Sequence, residues 1–183
     1  MNHRLLNLLA VSASLFFIAC DETAEINVSR DLGYNFEIIA SEITDDRFFV
    51  SQSIDIGGDE FEDFEILDAT INSLSYSISG IDSEGAFSTW FLVGGANSLS
   101  SSFQTTPTPI ENVTEQTPFW TAEDGFLEND FFEDNPDINA FISGWESAIQ
   151  SKTPYDVTVL GEAMVGDDFV VTLHVDVTCA AEE

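Results

Sequence analysis

Five carboxylates stand close together near the end of the first third of the chain, and carboxylates are side chains that hold hard metal ions. These residues are Asp55, Asp59, Glu60, Glu62 and Asp63. Ca²⁺ takes roughly six to eight oxygen ligands, and carboxylates on loops commonly supply them. The spacing does not match the ordered acidic positions of an EF-hand loop. Two interpretations therefore stand: a Ca²⁺ site built from these residues, or an acidic surface that is simply solvated.

The same segment contains Gly57-Gly58-Asp59-Glu60-Phe61, and these letters resemble the signature of diguanylate cyclases. The resemblance implies a hairpin that holds GTP and a metal ion. Glu62-Asp63-Phe64-Glu65 stands where the family has an apolar strand, and no basic residue lies between Arg47 and Lys152. Triphosphate chemistry needs cations to offset developing negative charge. We interpret the match as coincidental and expect no catalytic residues in the chain.

His174 is the only histidine beyond residue 3, and it shares a face of a predicted strand with Thr172 and Asp176. A His–Asp pair can orient an imidazole for general-base catalysis. Residues two apart on a strand are roughly 7 Å apart, however, so we interpret this row as an outward polar strand face. A lone histidine also argues against zinc and non-haem iron sites, which usually use several His or Cys ligands.

Two neighbouring aromatic residues, Phe119 and Trp120, are the candidate ligand-binding pair. They follow the segment 100–118, whose many Ser, Thr and Pro residues predict a long loop. Aromatic side chains on a loop can stack on a sugar ring, and the alternative is that they pack into the core. Trp90 and Trp145 are predicted to be core residues. The many carboxylates also allow a glycosidase pair, but no pattern selects two of them.

The charge of the chain is one-sided. It has 34 acidic residues and 4 basic residues, which gives a formal net charge of −30 at pH 7. Such a surface repels nucleic acids and anionic lipid headgroups, which bind to basic patches, so we expect no nucleic-acid partner. It also repels itself unless salt or cations screen it. Adaptation to a salty habitat and binding of divalent cations both explain this composition.

The N-terminus has the pattern of a secretory leader. Residues 5–19 are mostly apolar, but they are too few for a membrane-spanning helix, which needs roughly 20 residues. Residues 17–20, Phe-Ile-Ala-Cys, resemble the lipobox of bacterial lipoproteins. The resemblance implies cleavage after Ala19 and acyl chains on Cys20, which anchor a protein stably to a membrane. Ordinary signal-peptidase cleavage is the alternative, and it fits less well because Phe17 and Ile18 are bulky where that enzyme needs small residues.

Asp21 and Glu22 follow the lipobox directly. Asp at this position resembles an inner-membrane retention signal of enterobacterial lipoproteins. Acidic residues soon after the cysteine also resemble a surface-export signal of Bacteroidota lipoproteins. We expect an outer-membrane lipoprotein, either periplasmic or exposed at the cell surface.

Alternating apolar and polar residues predict several β-strands. The clearest runs from Phe169 to Cys179 in strict period two, so Cys179 is expected in the core rather than as a reactive thiol. Further strands are predicted at 35–43, 47–56, 69–79, 85–93 and 155–164. Gly166-Asp167-Asp168 separates the last two strands, and we expect these strands to pair as an antiparallel hairpin.

One amphipathic helix is predicted before that hairpin. Its apolar residues recur at helical spacing: Ile138, Phe141, Ile142, Trp145, Ala148 and Ile149. Together these patterns predict a mainly β fold, an antiparallel β-sandwich of about six to eight strands with one amphipathic helix before the C-terminal hairpin. The expected organisation is a lipoprotein signal peptide at 1–19, an acidic tether at 20–24 and a single domain at 25–183.

These features predict a lipid-anchored envelope protein similar to small lipoproteins of Bacteroidota. The expected function is a non-enzymatic binding or structural module with a protein or glycan partner. The alternative is a Ca²⁺-assisted glycan-binding module. The membrane is expected to be contacted through the lipid on Cys20, and Ca²⁺ is the one cofactor that the sequence suggests.

Overall fold

The computed structural model describes residues 25–82, 85–87, 90–94, 108–110, 112–128, 132 and 138–182. The strands in these ranges are β1 (Ile26–Ile38), β2 (Arg47–Ile54), β3 (Glu65–Ser79), β4 (Gly85–Phe87), β5 (Phe91–Gly94), β6 (Thr108–Ile110), β7 (Val113–Thr121), β8 (Gly125–Phe126), β9 (Tyr155–Met164) and β10 (Phe169–Glu182). The helices are α1 (Ile56–Glu60), α2 (Ile138–Gln150) and a short 3-10 turn at Ala40–Glu42.

The strands form two antiparallel sheets. Sheet A has the order β1-β10-β3-β7-β8. Sheet B has the order β2-β9-β4-β6, and β5 also pairs with β9. The predicted antiparallel β-sandwich is therefore confirmed.

Strand β10 lies in the middle of sheet A, between β1 and β3, and its sequence explains that position. Buried and half-buried residues alternate along its whole length, because period-two side chains point to opposite faces of a sheet. Cys179 is one of the fully buried residues, as predicted. Burial raises the pKa of its thiol to about 11, with a further contribution from Asp68, so the thiol stays protonated and unreactive near neutral pH.

Three aromatic rings join the two sheets. Phe48 of β2 lies edge-on to Trp90, with ring centroids 5.3 Å apart, and edge-on to Phe169 of β10 at 5.9 Å. Trp90 is fully buried, which confirms its prediction as a core residue. Edge-to-face pairs of this kind are worth about 0.5–1.5 kcal/mol beyond the apolar area that they bury.

Helix α2 packs on sheet A through its apolar stripe, and all six residues of the predicted stripe are buried. Polar contacts fix its position. The backbone N–H of Ile71 in β3 donates to Glu146 Oε1 at 2.9 Å. On the other side, the Tyr155 hydroxyl of β9 donates to the carbonyl of Phe141 at 3.2 Å. The helix therefore bridges the two sheets.

The predicted C-terminal hairpin is wrong. Strand β9 belongs to sheet B, where it pairs with β2 on one edge and with β4 and β5 on the other. Strand β10 belongs to sheet A. Because both edges of β9 are occupied, residues 165–168 cross from one sheet to the other instead of closing a hairpin.

Several predicted boundaries also differ from the structure. Strand β1 begins at Ile26 and ends at Ile38, earlier than the predicted 35–43. The predicted strand 85–93 is two strands, β4 and β5. The predicted loop 100–118 contains β6 and most of β7, because edge strands tolerate the Ser, Thr and Pro residues that suggested a loop.

Candidate functional site

The side of sheet A that faces away from the core is polar. We call this surface the polar face. It is formed by alternate residues of β1, β10 and β3: Ser29, Asp31, Asn35, Thr172, His174, Asp176, Thr178, Ser73, Ser75 and Ser77. The residues between them point inward and fill the core, so the polar face follows from the same period-two pattern that builds the sandwich.

A depression of about 310 Å³ lies in the polar face. Its lining residues are Ser29, Arg30, Asp31, Ser73, Ser75, Gln116 and Asp176. Strand register explains why these residues meet, because Asp176 of β10 stands opposite Asp31 on one side and Ser73 on the other. Residues that are far apart in the sequence thus share one row across three strands.

The two carboxylates of this row are a source of unrelieved negative charge. Asp31 and Asp176 are direct partners across antiparallel strands, a position where like charges destabilise a sheet. Asn72 Nδ2 donates to Asp176 Oδ1 at 3.3 Å and to Thr178 Oγ1 at 2.9 Å, which holds the Asp176 side chain in place. Within the part of the chain that the structure describes, the ion pair found is Arg47 with Glu162, so neither carboxylate of this row forms an ion pair there.

Ser75 is the buried member of the lining. Its exposed fraction is only 8 %, and it lines the depression between His174 and Pro118, its neighbours in the sheet. No hydrogen bond joins its hydroxyl to any other residue that the structure describes. The Ser75 hydroxyl is therefore available to a ligand that enters the depression.

His174 lies beside the depression and is held at both ring nitrogens. The side-chain amide of Gln116, Nε2, lies 3.1 Å from Nδ1, and Ser77 Oγ lies 3.0 Å from Nε2. An amide nitrogen can only donate, so Nδ1 accepts from Gln116 and Nε2–H donates to Ser77. Burial lowers the pKa of His174, and the negative charge of Asp31 partly opposes this effect. The imidazole is therefore neutral near pH 7 and fixes Gln116 at the edge of the depression.

A pH titration of stability tests the neutral state of His174. Its pKa is lower in the folded state than in the unfolded chain, so the unfolded state binds more protons between these two pKa values. The contribution of His174 to the free energy of unfolding should be complete above about pH 6.5, the ordinary histidine pKa, and should be lost as the pH falls below it. The measurement is urea unfolding of wild type and of His174→Gln across this range. A difference between the two proteins that does not change with pH would contradict the prediction.

The candidate pair Phe119 and Trp120 lies in the core. Only 1 % of Phe119 and 6 % of Trp120 is exposed, and both residues belong to β7. Leu74 pairs with Trp120 and Ser75 pairs with Pro118, so Phe119 is the extra residue of a β-bulge. A bulge lets two successive side chains turn to the same side of a sheet. The expectation of an exposed aromatic pair on a loop is therefore wrong.

The five carboxylates first considered as Ca²⁺ ligands lie around α1. Asp55 caps this helix and accepts a hydrogen bond from the Gly58 N–H at 2.7 Å. Burial raises the pKa of Tyr34, and the charges of Glu60, Asp59 and Asp55 raise it further. Glu62 and Asp63 are exposed in the following turn. Among the described residues no three or more acidic, Cys or His side chains converge as metal ligands, and a Ca²⁺ site here stays a prediction.

Two basic residues from other elements reach this acidic segment. The Arg30 guanidinium lies 5.6 Å from the centre of the Phe61 ring. Lys152 Nζ donates to the carbonyl of Glu62 at 2.9 Å. No basic residue is close to this segment in the sequence, but the fold brings two basic side chains to it. Part of its negative charge is therefore offset.

The letters Gly57 to Phe61 form the one-turn helix α1 and its end, and the cyclase resemblance implies a hairpin at this place. Gly57 is buried against α2: an added Cβ would lie 2.2 Å from the carbonyl oxygen of Ile149 and 3.0 Å from Lys152 Cα. The glycine therefore permits close packing of two helices, a role that needs no nucleotide.

Cys20 and the lipobox-like residues lie outside the residues that the structure describes. Within the described ranges, none of the helices has the length and apolar character needed to cross a bilayer. Sequence reasoning predicted the row of this face on β10, formed by Thr172, His174 and Asp176. It missed the neighbouring rows, although the alternation of Ser73, Ser75 and Ser77 with apolar residues marked the one on β3. Comparisons with protein-family models, curated proteins and solved structures found no match to this chain.

Proposed function

We propose that this protein is a lipid-anchored envelope module that binds a small polar ligand in the depression of the polar face. The observation that carries the proposal is the hydroxyl of Ser75, which has no hydrogen-bond partner among the described residues and lines a depression of about 310 Å³. That volume lies near the lower end of the range for small-molecule sites, about 300–1,000 Å³. The ligand would supply the hydrogen bonds that the surrounding residues do not.

A binding role is better supported than an enzymatic one. His174 is the residue of the polar face best suited to move a proton near neutral pH. Both of its ring nitrogens are engaged, at 3.0 Å to Ser77 and 3.1 Å to Gln116. A general base needs a free nitrogen within hydrogen-bond reach of the substrate. The imidazole serves instead to position Gln116.

The anchoring part of the proposal rests on the lipobox-like residues ending at Cys20. Strand β1 begins at Ile26, so five residues, 21–25, separate it from the cysteine. Five extended residues span at most about 18 Å. The sandwich would therefore be held close to the membrane surface, at the outer membrane or cell surface.

Replacing Cys20 by Ala should remove membrane association. The lipid is the proposed anchor, so the variant should be found in the soluble fraction and should take up no radiolabelled palmitate. Wild type should sediment with membranes and carry the label. An unlabelled wild type together with a membrane-bound Cys20→Ala variant would refute the anchor.

Ligand binding at the polar face can be tested separately. The imidazole NMR signal of His174 should shift when purified protein is mixed with a solubilised envelope fraction, because Gln116 connects the ring to the depression. Ser75→Phe, which fills the depression, should abolish the shift. A shift that survives this substitution would place the binding elsewhere.

A second candidate is Ca²⁺-assisted glycan binding at the segment around α1. The observation that favours it is the position of Asp55, Asp59 and Glu60 on one short helix and its cap, where the charges of all three raise the pKa of Tyr34. Thermal melts in CaCl₂, with a chelator control, should be compared with melts in MgCl₂ and NaCl at matched ionic strength. A Ca²⁺ concentration of ~100 times the Kd would stabilise the protein by about 2.7 kcal/mol. Equal shifts in all salts would mean that the ions only screen the negative charge.

A further inference from the structure

We propose that the depression of the polar face selects a protonated primary amine carried on a small hydroxylated molecule, of the amino-sugar class. This inference rests on the proposed function, which makes the depression a ligand site, and it adds the chemistry of the ligand. It is argued from the charges, the hydrogen-bonding groups and the size of the depression.

The carboxylate pair supplies the charge argument. Asp31 and Asp176 stand directly opposite each other, and no basic side chain of the described residues forms an ion pair with either. Arg30 also lines the depression, but its guanidinium lies 5.6 Å from the Phe61 ring and donates to the carbonyl of Ser29, so it pairs with neither carboxylate. A bound cation would relieve the repulsion between them, whereas an anion would add to it. The net charge of −30 acts in the same direction, because it draws cations to the whole surface.

The hydrogen-bonding groups favour an ammonium over a metal ion. An ammonium has three donors and no acceptor, and it needs few ligands. Asp31, the oxygen of Asp176 that Asn72 does not use, and the Ser75 hydroxyl are acceptors that line one depression. Ca²⁺ would need roughly six to eight oxygens at once. The two carboxylates of this site are enough to bind an ammonium, which needs fewer oxygen ligands than Ca²⁺.

The rest of the lining indicates what carries the amine. Ser29 and Ser73 have hydroxyls that can donate to or accept from the hydroxyls of a ligand, as can the side-chain amide of Gln116. No aromatic side chain lines the depression. Recognition would therefore depend on hydrogen bonds and charge, and a compact hydroxylated amine would use both.

Three probes of nearly the same shape isolate the role of charge. Glucosamine, glucose and N-acetylglucosamine are titrated into the purified full-length protein, at a pH where the glucosamine amine is protonated. Binding is followed by calorimetry and by the His174 imidazole signal. Glucosamine should bind at least about tenfold more tightly than the two neutral sugars, which is the effect expected of one charge-assisted hydrogen bond. Added NaCl should weaken this preference, because the site is open to solvent.

Three matched variants locate the effect. Asp31→Asn and Asp176→Asn should each remove the preference for glucosamine. Both should fold at least as stably as wild type, because each relieves the repulsion within the pair. Asp156→Asn removes the same charge from an exposed position of sheet B and should leave the preference unchanged.

Four outcomes would overturn the proposal, and the last of them would overturn the proposed function as well. Equal affinity for glucose and glucosamine would make the site a neutral sugar site. If Asp156→Asn lost as much glucosamine binding as Asp31→Asn and Asp176→Asn, the binding would reflect a general attraction of cations to an acidic surface. If none of the probes binds while the envelope fraction still shifts the His174 signal, the amine is the wrong ligand class and the proposed binding role stands. If the envelope fraction also has no effect, both proposals fail.

Discussion

Gly57→Ala is expected to destabilise the protein by about 2–3 kcal/mol, the usual cost of forcing an extra carbon into a packed interior. The added Cβ would lie 2.2 Å from the carbonyl oxygen of Ile149 and 3.0 Å from Lys152 Cα. Both are backbone atoms, one in the last turn of α2 and one in the turn that follows it, so no side-chain rotation can relieve the contact. Either α1 or the end of α2 must move, and each of them carries buried residues.

The measurement is urea unfolding of Gly57→Ala beside two other glycine variants. Gly166→Ala is the control, because its Cβ would meet nothing within 4 Å. Gly58→Ala should fall between them. Its Cβ would lie 2.5 Å from the Asp55 carboxylate, which can rotate away at the loss of a helix cap worth about 1 kcal/mol. Equal midpoints for Gly57→Ala and Gly166→Ala would show that α1 does not pack against α2 as described.

The glycines of this segment illustrate what the sequence alone could not show. In the sequence, Gly57 and Gly58 were considered as part of a coincidental match, and glycine is by itself frequent in turns. The structure instead begins a helix at Ile56, with Asp55 as its cap. The reason that residue 57 is glycine lies nearly a hundred residues further on, at Ile149. Local patterns carry no information about such a contact.

Predictions from the spacing of apolar residues were confirmed where that spacing depends on the burial of one face of a single strand or helix. Strand β10 and the stripe of α2 were found because one face of each is buried along its length. The pairing of β9 was not predictable in this way. A short connection between two strands fits a hairpin and a crossing between sheets equally well, and the choice depends on β2, β4 and β5, which occupy both edges of β9.

The candidate site depends on register more than on residue type. Asp31, Ser73 and Asp176 are unremarkable in sequence, and they become a site only because three strands align them in one row. Gln116 was assigned to a predicted loop and so was not considered. Phe119 and Trp120 were considered because they are aromatic, but a β-bulge turns both into the core.

Trp145→Ala is expected to cost about 3–5 kcal/mol, the range measured for removing a buried tryptophan. Trp145 is fully buried on α2. Its ring stacks on Tyr155 of β9 with centroids 6.0 Å apart, and it lies edge-on to Phe141 at 5.6 Å. The substitution would leave a cavity where the helix meets sheet B. Because domains of this size are stable by only about 5–15 kcal/mol, the variant should be partly unfolded at modest temperatures.

Trp145→Phe should destabilise the protein much less than Trp145→Ala, because it also removes the buried indole nitrogen. Trp145 Nε1 is buried, and no acceptor among the described residues is within hydrogen-bond reach of it. An unsatisfied buried donor costs about 1–3 kcal/mol, so removing it offsets part of the packing that the smaller ring loses. We expect Trp145→Phe to unfold within about 1 kcal/mol of wild type, and Asn139→Ala, on the exposed side of α2, to unfold like wild type. Equal costs for Trp145→Phe and Trp145→Ala in urea unfolding would mean that the indole N–H does have a partner. The helix would then be held to the sandwich by a hydrogen bond in addition to aromatic packing.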